Sequence, residues 1–164
     1  MKRIDTYNGF TLIETLLYVS ITSVLILSIS ILLATTLNSK AENRAKIEVQ
    51  QQAKFISDHI ESNIKKSTEI IEPIVGSSQS TLTLINDNST DQYEYSLSIG
   101  TLYFQLNSDS PEILSNDKVF IESLTFTNNS GIITYEFVVS YINGDGVGSI
   151  DYSSTHKGSA GTRK

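Results

Sequence analysis

The stretch GFTLIETLLYVSITSVLILSISILLATTL, residues 9–37, divides this chain into two kinds of sequence. From Thr15 to Leu37 there are 23 residues without one Asp, Glu, Lys or Arg. As a helix they span roughly 34 Å, enough for a hydrocarbon layer of about 30 Å. Ser and Thr at positions 20, 22, 23, 28, 30, 35 and 36 soften the run. Their hydroxyls are able to bond back to helix carbonyls, which makes them tolerable in lipid. Lys2 and Arg3 precede the span, so the positive-inside rule predicts a cytoplasmic N-terminus and an extracytoplasmic remainder.

Two plain readings of such a run are a secretory signal peptide cut near Ala34 and a simple single-pass anchor. The signal-peptide reading needs an apolar core longer than the usual 7–15 residues. Neither accounts for Glu14, the one charge from Phe10 through Ser39. A carboxylate costs on the order of 2.5–3.5 kcal/mol at the centre of a membrane helix and less near its end. It calls for a partner.

The residues around it supply one. Gly9-Phe10-Thr11-Leu12-Ile13-Glu14, placed after a short basic leader and before the uncharged run, resembles the cleavage and methylation motif of type IV prepilins and type II secretion pseudopilins. The resemblance implies that a prepilin peptidase/methyltransferase removes the leader 1–9 by cutting between Gly9 and Phe10, and N-methylates the new amine of Phe10. It implies that Glu14 serves methylation and assembly by forming a salt bridge with the amine of a neighbouring subunit. It also implies a lollipop: a helix at 10–37 for membrane and assembly, continued by a helix packed on an antiparallel sheet. The partners expected are other pilin or pseudopilin subunits, an inner-membrane assembly platform and membrane lipid. Many major pilins carry a proline inside this helix. Here the only prolines are Pro73 and Pro111, which predicts a straighter helix.

Beyond Leu37 the character changes without a breaker. Residues 38–66 contain no Pro or Gly, and Ala41, Ala45, Val49, Ala53, Ile56, Ile60 and Ile64 recur at steps of four or three. That is one stripe of an amphipathic helix. The stripe suits packing on the protein's own sheet, with a coiled-coil seam to another protein as the alternative. Lys65 and Lys66 suit a helix C-terminus, and Pro73 closes the region. A continuous helix from Phe10 to Lys66 would be roughly 85 Å long.

Residues 67–152 read as an antiparallel sheet of about four to six strands, giving an α+β fold. Thr81–Ile85 is a short strand. Tyr93–Ile99 and Leu102–Leu106 flank a tight turn at Gly100-Thr101, and Val119–Thr127 and Ile132–Ile142 flank Asn128-Asn129-Ser130-Gly131. Ile133, Tyr135, Phe137, Val139 and Tyr141 share one face, expected to rest on the helix. The apolar phase slips between Ile121 and Leu124, which predicts a bulge. The polar tail 153–164 is expected to add an edge strand and then fray.

Charge and chemistry narrow the function. From Ser67 onward there are 12 Asp/Glu against 4 Lys/Arg, a net of −8, and such a surface repels phosphate backbones. Nucleic acid is therefore not an expected partner. There is no Cys, hence no disulfide and no thiolate metal site. His59 and His156 stand apart, with no second ligand at metal spacing, and no catalytic triad, phosphate loop or carboxylate pair stands out. The chain reads as a non-enzyme without a cofactor or metal. Asn143-Gly144-Asp145-Gly146 with Asp151 offers oxygen ligands that some major pseudopilins use for calcium, but it does not match the twelve-residue calcium loop. A turn is the simpler reading. Within the family it resembles, many major pilins close their C-terminal region with a disulfide, so for this Cys-free, acidic, strand-rich head the resemblance implies a minor subunit rather than a major one. The rival from another class is a membrane-tethered extracytoplasmic binding domain that never polymerises.

Overall fold

The computed structural model describes residues 11–86, 91–142 and 152–163. Among these residues one helix, α1, runs from Leu12 to Lys66, and nine strands follow. They are β1 (Ser67–Glu72), β2 (Ser78–Gln79), β3 (Leu82–Asn86), β4 (Gln92–Ser98), β5 (Thr101–Leu106), β6 (Glu112–Ile113), β7 (Val119–Asn129), β8 (Ile132–Tyr141) and β9 (Ser153–Gly161). The chain divides into two compact units, Met1–Ala41 and Glu42–Lys164. The architecture is α+β, with the helix packed on antiparallel strands.

Within Glu42–Lys164 there are two sheets where the sequence suggested one. β1-β3-β4-β5-β6 form the first and β2-β7-β8-β9 the second. Both rest on the helical stripe. Ala45, Val49, Ala53, Ile56, Ile60 and Ile64 are fully buried, whereas Ala41 is exposed, so the stripe begins one turn later than its spacing suggested. It meets Leu82, Leu84, Tyr95 and Leu102 from the first sheet. From the second come Val119, Ile121, Leu124, Phe126, Ile133, Tyr135, Phe137 and Val139. Burying each such side chain contributes about 1.5–3 kcal/mol. The stripe therefore packs on the chain's own strands, not on a coiled-coil partner.

The two sheets are stitched at the β4–β5 turn, where the Ile121 amide donates to the Gly100 carbonyl at 2.9 Å. The Phe120 ring covers Gly100 so closely that no Cβ fits there. That hairpin turn is Ile99-Gly100, one residue earlier than the sequence suggested, because Ser98 pairs with Thr101. The second hairpin turns on Ser130-Gly131, with Asn129 opposite Ile132. The register shift between Ile121 and Ser123 is the expected bulge. Residues 153–161 do not fray. They pair with β8 over its whole length, from Ser140↔Ser153 to Ile132↔Gly161.

Polar side chains close the remaining gaps. Asn63 donates to the buried Tyr95 hydroxyl at 2.6 Å, and Gln52 donates to the Leu114 carbonyl at 2.7 Å. Asn128 donates to the Pro73 carbonyl at 2.8 Å and accepts from the Gly131 amide at 3.1 Å, holding two turns together. Unpaired, such groups would each cost about 1–3 kcal/mol.

Candidate functional site

The candidate site is the beginning of α1. Gly9 and Phe10, the residues flanking the expected cut, lie outside the described residues, as do Asp145 and Asp151 of the Gly-rich loop. Glu14 is described and sits half-buried in the first helical turn. Thr11 is the cap: its Oγ1 accepts from the Glu14 amide at 3.3 Å, and its carbonyl accepts from the Glu14 and Thr15 amides at 3.1 and 3.2 Å. A carboxylate in the first turn also faces the positive end of the helix dipole. The signal for this cap was in the sequence. Thr11 stands three residues before Glu14, the spacing at which an N-cap hydroxyl accepts from the backbone amide of the third helical residue.

The turns that follow show how the polar residues of the apolar run are accommodated. Ser20, Ser23, Ser28 and Ser30 donate to the carbonyls of Leu16, Val19, Val24 and Ile26 at 2.7–2.8 Å. Thr35 and Thr36 both donate to Leu32 at 2.9 and 2.7 Å, and Thr15 donates to Leu12 at 2.8 Å. Each of these seven hydroxyls is thus satisfied by its own helix, as an apolar solvent demands. The large apolar side chains from Leu12 to Leu37 are 52–79% exposed, and the most apolar window, of mean hydropathy 2.4, buries nothing within the chain. α1 is long and apolar enough to cross a membrane once.

The two histidines occupy different surroundings. His59 Nδ1 lies 2.9 Å from the Tyr95 hydroxyl, and its ring meets Phe104 edge-on at 4.9 Å. Burial, with Lys66 nearby, lowers its proton affinity, while Glu112 opposes that. His156 stacks on Phe137 at 5.6 Å, and burial lowers its proton affinity too. Among the described residues, no His, Cys, Asp and Glu side chains gather into a group of three able to hold a metal ion. No family model, curated protein or solved structure matches the chain.

Proposed function

We propose that this chain is a minor pilin or pseudopilin: a subunit anchored in the cytoplasmic membrane that primes, or polymerises into, a type IV pilus-like or type II secretion filament. Residues 10–37 hold it in the bilayer with the N-terminus cytoplasmic and the head outside, until an assembly platform extracts it. The observation that carries this reading is Glu14, five positions beyond Gly9 and the sole charge from Phe10 through Ser39. It opens a helix otherwise fit for lipid.

The chemistry follows from charge. A cut between Gly9 and Phe10 leaves a cationic amine on Phe10, which N-methylation does not neutralise. Packed among apolar helices, that charge is strongly unfavourable alone and tolerable when paired. The Glu14 carboxylate of an adjacent subunit neutralises it at one axial offset only. It acts as a register key, as a single buried polar residue does in a coiled coil.

Thr11 caps the helix through the Glu14 backbone amide, which alanine retains, so Glu14→Ala is a clean probe. The variant is expected to insert and be cleaved like the parent, yet to crosslink poorly to neighbouring subunits in membranes. A single Cys at Ser23, in a chain with no other, supplies the crosslink. Unchanged crosslinking would remove the proposed role of Glu14.

A further inference from the structure

Strand β9 is an edge strand of the second sheet. It has one neighbour, β8, and its inward residues are Ser154, His156, Gly158 and Ala160. Three are small, so the imidazole is the one large group it contributes to the interior. The ring stacks on Phe137, 24° from parallel, and its Nε2 is enclosed without a hydrogen-bond partner among the described residues. A neutral ring tolerates that position. His156 is partly buried, and a protonated ring would hold an N–H⁺ at an enclosed position where no acceptor waits among the described residues, which disfavours the charged form.

The ionisable groups on the surrounding elements offer no relief. Lys157 points to the opposite face of the sheet and pairs with Glu136 of β8 at 2.9 Å. On α1, Glu61 accepts from the Tyr135 hydroxyl at 3.0 Å and pairs with Lys65 at 3.0 Å, while Asp58 pairs with Lys54 at 3.2 Å. Lys46 lies over the Tyr152 ring at 5.9 Å. Among the described residues, no carboxylate lies within ion-pair distance of His156. His59 provides the contrast. The Tyr95 hydroxyl bonded to it has a second acceptor, the His59 carbonyl at 3.3 Å. When Nδ1 gains a proton the phenol turns its own to that carbonyl and accepts from the ring, so this histidine carries its own acceptor.

We propose that β9 is an acid-released strand: protonation of His156 loosens Ser153–Gly161 from β8 while the β1–β3–β4 ladder stays paired. The direction follows from linkage. Burial places the folded-state proton affinity of His156 below that of the released strand. Opening is therefore favoured as pH falls from the ordinary imidazole value, 6.5, toward the lowered one. One proton is taken up, so the opening constant rises by at most about tenfold per pH unit. Release uncovers the β8 edge and the Phe137 ring.

The test is amide hydrogen exchange on the full chain in detergent micelles, corrected for intrinsic rates, between about pH 7.5 and about pH 5. The amides of Ser154, His156, Gly158 and Ala160 face β8 and should lose protection on acidification, while those of β3 should not. His156→Phe keeps the stack and should flatten the response. A flat response in the parent, or an unchanged slope in His156→Phe, would overturn the proposal. The ring-proton titration of His156 in the parent is an independent check: a midpoint below 6.5 is expected, and one at or above 6.5 would refute the idea.

Discussion

At the scale of single residues, Ile99 carries the backbone strain of the β4–β5 turn. It lies at φ 48° with its side chain 94% exposed, followed by Gly100 at φ 73°. A β-branched residue in the left-handed region costs roughly 1–2 kcal/mol, which Asn largely avoids. This is why the turn was not legible: propensity assigned the special geometry to Gly100-Thr101. Pairing decides otherwise, because placing Tyr95 and Leu102 in the core sets Leu97 opposite Leu102 and Ser98 opposite Thr101. Ile99→Asn should therefore stabilise the folded unit by up to about 1 kcal/mol, raising its thermal midpoint by about 2–6 °C. A lowered midpoint would show that the exposed Ile99 side chain makes a contact worth more than the strain. Gly158 illustrates the opposite limit, since a Cβ there would run into the Tyr135 ring.

Among elements, the helix was legible because 3.6-residue periodicity and the absence of Pro and Gly left no competing structure. The stripe at 45–64 and the two long hairpins follow from the same kind of pattern. β9 was not legible. Its sequence, SSTHKGSAG, has Thr155 as its one β-branched residue and no Val, Ile, Tyr, Phe or Trp by which strands are usually read. It forms because Tyr135 and Phe137 of β8 already fill the interior, leaving room above β9 for Gly158, Ala160 and one imidazole. The division into two sheets was equally hidden, since alternation marks strands but does not say which of them pair. The helical stripe serves both sheets, so it is the place to test the packing. A chain beginning at Ala41 retains the whole second unit, and Ile60→Asp puts a charge on a fully buried position within it. The cost is several kcal/mol, comparable to a domain's entire stability. Thermal unfolding should show the variant unfolded or melting far below the parent. An equal midpoint would mean that Ile60 is not in the core.

On the scale of the whole molecule, the two units divide the labour. One is apolar on its outside and bonds seven of its hydroxyls to its own helix carbonyls. The other has a single core, and from Ser67 onward an acidic surface. The candidate site lies in the first unit, whose apolar helix was legible from residues 9–37, while the Thr11 cap emerged once the helix start was placed. The central claim is that this unit becomes an assembly helix through processing at its N-terminus. Intact mass and N-terminal sequencing of the protein extracted from its native membrane test this most directly. The account predicts a mature chain beginning with N-methylated Phe10, having lost residues 1–9. A chain beginning at Met1 would favour the tethered binding domain, and one beginning near Thr35 a secreted protein; either would contradict the account.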